Sequence, residues 1–244
     1  MVEPRNRSRF TEMAMLSAEA NIPARVILFL GAPGSGKGTQ SSRLAAQLGI
    51  PCLSTGEILR SEAKRNTPAG FELRRILASG SMVDDEMICR VAEARLRRDV
   101  PAGGLILDGF PRNVAQAHYL DRLLTSLGLP SPTVFLLNVS TAALTLRLTS
   151  RRHCASCGAT YNLISRRSLR GSRCEIDGGA LVERDDDCAE VIARRLEDFE
   201  AGCRPLIDYY RAAELHSIDG DRDPDEIASA LLEIATHSDR LVSA

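Results

Sequence analysis

Ten residues near the start of the chain, Gly31-Ala32-Pro33-Gly34-Ser35-Gly36-Lys37-Gly38-Thr39-Gln40, carry the spacing G-x-x-x-x-G-K. Glycines at that spacing let a backbone turn its N–H groups inward on an anion, and the lysine adds a point charge beside the terminal phosphates. Gly34, Ser35, Gly36, Lys37, Gly38 and Thr39 are therefore candidates for a phosphate cradle. Gly38 stands where a Ser or Thr commonly offers its hydroxyl toward magnesium, so that hydroxyl is displaced to Thr39. The apolar run Val26 to Leu30 predicts a strand before the loop, and Leu44 and Leu48 predict a helix after it. The positive end of that helix strengthens an anion site.

Further candidates are spread along the chain. Asp108-Gly109-Phe110-Pro111-Arg112 follows the apolar run Leu105 to Leu107. In a parallel sheet, ligands gather beyond the carboxyl ends of the strands, which puts Asp108 and Arg112 at the same edge as the loop. Arg112 is a planar, permanently charged fork suited to phosphate, and Asp108 suits the orienting of magnesium-bound water. Thr55-Gly56-Glu57 opens a helix bearing Arg60, with Thr55 expected as its N-cap and Glu57 matched to the dipole. Arg147 and Arg151, four residues apart on an expected helix, make either a solvated face or a clamp around an anion. The run Arg184-Asp185-Asp186-Asp187 precedes a helix with Arg195. Its acids either complement the helix dipole or hinge a segment whose Arg184 and Arg195 reach phosphates. Arg222 lies in a late turn, solvated by default, with a contact to a nucleotide base as the alternative.

Between Arg151 and Asp187 the helical period vanishes. Cys154-x-x-Cys157 is followed by Cys174-x-x-Asp177, two short ligand pairs separated by a hairpin-sized spacer. Three thiolates and a carboxylate can close a tetrahedral shell around a structural zinc, with iron a lesser fit and three stray cysteines the plain alternative. So short a segment has little core of its own and gains from such a staple.

These residues need elements to hold them. With 244 residues and 44% hydrophobic content, the chain suits one α/β domain with insertions. Further strands are expected at Cys52 to Ser54, Thr133 to Val139 and Leu215 to Ile218. Helices are expected from Pro68 to Asp99 with a break at Gly80-Ser81, from Val114 to Gly128, and from Pro224. The expected fold is a parallel sheet of about five strands with helices on both faces. A net charge of −1, from 31 basic against 32 acidic residues, argues against a nucleic-acid partner, and no apolar run approaches the roughly 20 residues of a membrane helix. Seven cysteines form an odd set, consistent with a reducing compartment and a cytoplasmic protein. Residues 1–24 carry Arg5, Arg7 and Arg9 but also Glu3, Glu12 and Glu19, and read as a disordered leader.

From about Arg25 to the C-terminus, GAPGSGKGTQ, STGEILR, DGFPRN, the cysteine-bearing insertion and ERDDD run in one colinear order. Together they resemble the adenylate kinases of the long-lid, zinc-bearing kind. The resemblance implies a P-loop, three-layer, doubly wound parallel five-stranded sheet. Its core would comprise 25–53, 84–149 and 188–244, with a helical AMP-binding lobe at 54–83 and a zinc-stapled lid at 150–187. It further implies that Gly34 to Thr39 hold ATP phosphates, with Arg147, Thr160, Tyr161 and Arg222 at ATP-side positions. Thr55, Arg60, Ser81, Met82, Val83, Gly109, Phe110, Pro111, Arg112 and Gln116 fall at the AMP site. Arg151, Arg184 and Arg195 match arginines that grip the phosphates of the two nucleotides, and Cys154, Cys157, Cys174 and Asp177 match the zinc ligands.

The implied reaction is Mg·ATP + AMP ⇌ 2 ADP in a monomeric enzyme, with Lys37, Arg112, Arg147, Arg151, Arg184 and Arg195 around the migrating group. The rivals are a kinase for another nucleoside monophosphate, a nucleotide-binding regulator without turnover and, third, a zinc-dependent nucleic-acid binder, which the balanced charge disfavours. Glu57 stands where the family more often has Asp, and the segment between Tyr161 and Cys174 lacks the prolines often found there.

Overall fold

The computed structural model describes residues 24–79, 83–99, 103–164, 168–184, 186–211 and 214–241. The expected leader therefore lies outside the described residues, apart from residue 24. The elements follow as β1 (Arg25–Gly31), α1 (Lys37–Leu48), β2 (Cys52–Ser54), α2 (Thr55–Ala63), α3 (Pro68–Ala78), α4 (Asp85–Asp99), β3 (Gly104–Asp108) and α5 (Val114–Ser126). Then come β4 (Thr133–Asn138), α6 (Thr141–Thr149), β5 (Arg151–Cys154), β6 (Thr160–Asn162), β7 (Leu181–Val182), α7 (Ala189–Tyr210), β8 (Leu215–Asp219) and α8 (Pro224–Leu241).

Alternation along β1 sets the layers. Val26, Leu28 and Leu30 face one side of the sheet and Ile27 and Phe29 the other, all buried. A strand apolar on both faces must be covered on both. On the first side, β1 and β3 residues pack with Ile88, Ala92 and Leu96 of α4, Ala117, Leu120 and Leu124 of α5, and Leu206 and Tyr210 of α7. On the second side, Ile27, Phe29, Ile106, Phe135 and Leu137 pack with Leu44 and Ala45 of α1 and with Ile227 and Leu231 of α8. The result is the expected three-layer α/β fold.

The central sheet has five parallel strands in the order β2-β3-β1-β4-β8. Its register puts Phe29 beside Asp108 and Ser54 beside Asp108 on the other side. The carboxyl ends of β1, β2 and β3 thus deliver the glycine-rich loop, the start of α2 and the Asp108 turn to one edge. A second, antiparallel sheet, β6-β5-β7, carries the cysteine pairs. Its core is small: Cys154, Tyr161 and Cys174 are buried, with Ala159 and Leu181 against them.

Two local expectations are corrected. The helix expected to bear both Arg147 and Arg151 ends at Thr149, because pairing of Arg151 with Asn162 starts β5 there, so the two arginines do not share a helical face. The N-cap of α2 is Ser54, not Thr55. Thr55 is fully buried and donates its hydroxyl to the Gly109 carbonyl at 2.9 Å, so a tertiary acceptor claims the group that could have capped the helix.

Candidate functional site

The glycine-rich loop is built for an anion. Gly34 and Gly36 hold φ of +85° and +96°, values a side chain would strain, and a Cβ on Gly34 would lie 2.8 Å from Leu148 Cγ. Gly36 is the N-cap of α1, with no side-chain bond, so the first amides of that helix stay directed at the loop. Ser35 is buried and its Oγ has no hydrogen-bond partner, an orphan hydroxyl in the cradle that a phosphate oxygen would satisfy. Lys37 Nζ folds over the loop, donating to the carbonyls of Gly31 at 2.6 Å and Ala32 at 2.9 Å. Burial pulls its ammonium down to about 8, with Asp108 opposing and Arg112 and Arg195 adding to the fall.

That mutual influence extends through six cations. Arg112 is pulled down by burial and by Arg195 and Arg60; Arg60 by burial and by Arg151 and Arg195; Arg184 by burial and by Arg151 and Arg60. Lys37, Arg60, Arg112, Arg151, Arg184 and Arg195 therefore lie close enough to feel one another's charge, although their elements are far apart in the chain. Like charges converge this way where an anion is to be received or where acids intervene.

Acids do intervene. Asp187 takes a bidentate grip from Arg151, through Nε at 2.7 Å and through Nη2, and lies 3.4 Å from Arg195 Nη1. Arg195 Nη1 also pairs with Asp186 at 2.9 Å. The acidic run, read as a dipole complement or a hinge, thus supplies counter-ions to the arginine cluster. Asp108 stands at the other flank, accepting from Ser54 Oγ at 3.2 Å, with Oδ2 only 3.5 Å from where a Cβ on Gly38 would sit. Glycine after Lys37 lets a carboxylate lie against the loop, a placement suited to an outer-shell role toward a phosphate-bound magnesium.

The remaining candidates divide. Arg112 donates from Nε to Gly109 O at 2.9 Å, and its backbone N–H meets Gln116 Oε1 at 2.8 Å. The turn Gly109-Phe110-Pro111, with a cis Phe110–Pro111 peptide, rests on Thr55. Gln116, expected off the apolar stripe of α5, is buried and donates to Asp85 at 2.6 Å, while Asn113 donates to the other oxygen of the same carboxylate at 2.8 Å. Asp85 is a residue that sequence reasoning missed. Val83 packs in the core beside them, whereas Ser81 and Met82 lie outside the described residues.

Arg147 stands outside the crowded group. It donates to Gly220 O at 2.8 Å, next to the Leu148 that walls the loop. Thr160 Oγ1 accepts from Arg184 at 3.0 Å. Tyr161 is buried, with its hydroxyl 3.4 Å from Cys174 Sγ and accepting from the Glu175 amide at 2.9 Å, so that hydroxyl supports the cysteine cluster. Arg222 is exposed and pairs with Glu226 at 3.0 Å, the solvated reading of that turn.

The cysteine cluster is metal-shaped. One ligand atom from each of Cys154, Cys157, Cys174 and Asp177 lies within 4.8 Å of the others, with Cys157 and Cys174 sulfurs 3.6 Å apart and Cys154 Sγ 3.2 Å from Asp177 Oδ1. Bond lengths of about 2.3 Å to sulfur and about 2.0 Å to oxygen give tetrahedral edges of roughly 3.5–3.8 Å, close to these spacings. The two ligand turns repeat one geometry: Gly158 N–H closes onto Cys154 O and Gly178 N–H onto Cys174 O, both at 3.0 Å. Gly179 completes the fit, since a Cβ there would lie 2.7 Å from Cys154 Sγ.

A family model described as adenylate kinase matches residues 29–215, a span covering the loop, the cation cluster and the cysteine site. The chain belongs to the adenylate kinase family. It is 43% identical over 209 residues to the adenylate kinase of Thermodesulfovibrio yellowstonii, covering 85% of this chain and 97% of that protein. It is 41% identical over 209 residues to that of Nitrosococcus oceani, and 41% identical over 204 residues to that of Exiguobacterium sibiricum. These cover 85% and 83% of this chain, and 96% and 95% of the respective adenylate kinases. The match takes in the glycine-rich loop, the cation cluster and the cysteine-bearing sheet.

Proposed function

We propose that this chain catalyses Mg·ATP + AMP ⇌ 2 ADP, and the observation that carries the proposal is the mutual influence of Lys37, Arg60, Arg112, Arg151, Arg184 and Arg195, with Arg112 and Arg195 acting directly on the lysine of the glycine-rich loop. One oxygen of the AMP phosphate attacks the γ-phosphorus in line as the bond to the β–γ bridging oxygen breaks, leaving ADP on both sides. The attacking phosphate is already anionic at neutral pH, so no general base is needed. Catalysis is positioning and charge stabilisation.

In this reading, the loop from Gly34 to Thr39, with Lys37, holds the β- and γ-phosphates, with magnesium supplied on the ATP and Asp108 and Thr39 facing its water shell. Arg147, Thr160, Tyr161 and Arg222 form the ATP side. Tyr161 acts there through its backbone, since its hydroxyl is turned to Cys174, and Arg222 first gives up Glu226. Arg60 and Arg112 take the AMP phosphate, Thr55 and Gly109 to Pro111 shape its floor, and Val83 and Gln116 lie on the side of its base. Arg151, Arg184 and Arg195 bridge the two nucleotides.

This reading makes 54–83 the monophosphate lobe and 150–187 the lid, which exclude water from a core of 25–53, 84–149 and 188–244. Zinc on Cys154, Cys157, Cys174 and Asp177 is structural: four protein ligands fill a tetrahedral shell and leave no position for substrate. The same reading makes the protein a cytoplasmic monomer without nucleic-acid or membrane partners. No helix among the described residues is long and apolar enough to cross a membrane.

The test is ADP formation from Mg·ATP with AMP, CMP, UMP and GMP in turn, and with Arg112→Ala beside the wild type. AMP should be much the best acceptor, and the variant should lose roughly 100- to 1,000-fold in turnover while keeping its fold, the scale of losing one charge-stabilising donor. Turnover with another monophosphate and not AMP would change the substrate, and a fully active Arg112→Ala would remove that residue from the phosphate clamp.

A further inference from the structure

Asp85, in the first turn of α4, gathers two side-chain amides. Gln116 donates from Nε2 to its Oδ1 at 2.6 Å, and Asn113 donates from Nδ2 to its Oδ2 at 2.8 Å. The oxygen end of each amide is held as well. Asn113 Oδ1 accepts the backbone N–H of Gln116 at 2.9 Å as the N-cap of α5, and Gln116 Oε1 accepts that of Arg112 at 2.8 Å.

A carboxylate can only accept and a backbone N–H can only donate, so each amide is oriented from both ends. Turned over, Gln116 would set its NH2 group against the Arg112 N–H and its oxygen against Asp85. The side chain is 1% exposed, so solvent eases neither meeting. Beyond these bonds Nε2 keeps one hydrogen and Oε1 one lone pair, in an order that the protein has fixed.

We propose that Asp85 is a positioning residue that sets the base selectivity of the acceptor, acting through the Gln116 amide. The proposal rests on the reading of Gln116 as lying on the side of the acceptor's base. An adenine edge presents an amino N–H beside a ring nitrogen that accepts, whereas a hypoxanthine edge presents a carbonyl oxygen beside a ring N–H. One orientation of an amide matches the first pair, and the reversed orientation matches the second. By locking the amide, Asp85 commits the site to one of them, adenine in the proposed reaction.

The experiment measures kcat/KM for AMP and for IMP, which differ only at that edge, in wild type, Asp85→Asn, Asp85→Ser, Gln116→Leu and the Asp85→Asn, Gln116→Leu double variant. Both replacements of Asp85 exchange a group that only accepts for one that also donates, so the amide is free to reverse. Wild type should prefer AMP by roughly 5- to 150-fold, the worth of one bidentate match between an amide and a base. The Asn and Ser variants should each cut the AMP-to-IMP ratio about tenfold, the scale of one hydrogen bond to a charged group, with the loss falling on AMP. Their KM for Mg·ATP should stay within about twofold of wild type, since no donor contact is lost. Gln116→Leu should cut the ratio as far or further, and adding Asp85→Asn to it should change the ratio no more.

No preference for AMP in wild type, an unchanged ratio in both Asp85 variants, equal losses with AMP and IMP, or a further drop in the double variant overturns the proposal. Should the wild type make no ADP from ATP and AMP, the kinase reading fails instead, and calorimetric Kd values for AMP and IMP in the same five proteins decide the proposal by the same ratios.

Discussion

Replacing Asp187 by Asn removes one negative charge and leaves the side chain's shape. In the structure that carboxylate is 4% exposed and holds Arg151 bidentately, with Arg195 at 3.4 Å. Removing one partner of a fully buried ion pair costs about 3–5 kcal/mol, because the other charge is left uncompensated. Here the arginine side chains keep 15% and 20% of their exposure, and the Asn carbonyl still accepts one bond. Solvent screening therefore cuts the expected loss to about 2 kcal/mol. For a chain of this length that lowers Tm by roughly 4–8 °C.

Nucleotide should reverse the effect. If phosphates take the place of Asp187 against Arg151, the nucleotide-bound form loses little, and Mg·ATP binds the variant up to about 30-fold more tightly, the same 2 kcal/mol read as affinity. Thermal unfolding with and without Mg·ATP, with AMP absent so that nothing turns over, measures both halves, and calorimetric titration checks the affinity. An unchanged Tm without nucleotide would show that Asp187 balances nothing, and an unchanged Kd beside a lowered Tm would show that phosphates do not compete with it.

Lys37 gives a pH signature. Its ammonium is lowered to about 8 by burial, against about 10.4 for a free lysine, so between those values the unfolded chain holds more protons. This group's contribution to stability therefore rises with pH across that window, while capture of Mg·ATP, which needs the charge, falls. We expect kcat/KM for Mg·ATP to decline as pH passes about 8, with kcat declining only at higher pH because bound phosphates retain the proton. A flat kcat/KM up to pH 10 would contradict it. For the cysteine cluster we expect one zinc ion per chain by elemental analysis, and about 10- to 100-fold weaker retention against a chromogenic chelator in Gly179→Ala. A chain purified without chelator that holds no metal would refute the site.

Much of the architecture was legible because it is written in local pattern. Runs such as Val26 to Leu30 and Leu105 to Leu107 are apolar on both faces and became central strands, and Gly49 ended α1 as its C-cap with φ +67°. What was missed or misplaced depends on partners distant in the chain. Asp85 has a local look, an acid in a first helical turn, yet its bonds go to Asn113 and Gln116, 28 and 31 residues on. Thr55 has the chemistry of a cap and was read as one, but the Gly109 carbonyl lies within reach of its hydroxyl only once β2 and β3 are paired. The four-residue spacing of Arg147 and Arg151 implied a shared face only while the helix continued. Ladder pairing at Arg151 ended it and sent the two side chains to different partners, Gly220 and Asp187.

The distribution of the cations over separate elements explains how the chain tolerates them. Lys37 and Arg112 sit on the sheet edge, Arg60 on α2 and Arg195 on α7, while Arg151 and Arg184 belong to the cysteine-bearing segment. Repulsion among them falls with distance, so without phosphate it favours holding the segment away from the sheet edge, with Asp186 and Asp187 limiting how strongly. In the proposed reaction, a string of phosphates among them would reverse the sign of each such term and draw the same elements together. A segment pulled in both directions cannot take its stability from packing on the main core, and its buried residues are few. On the proposed reading, a metal held by Cys154, Cys157, Cys174 and Asp177 would meet that requirement, keeping the segment rigid whether it stands near the sheet or apart from it.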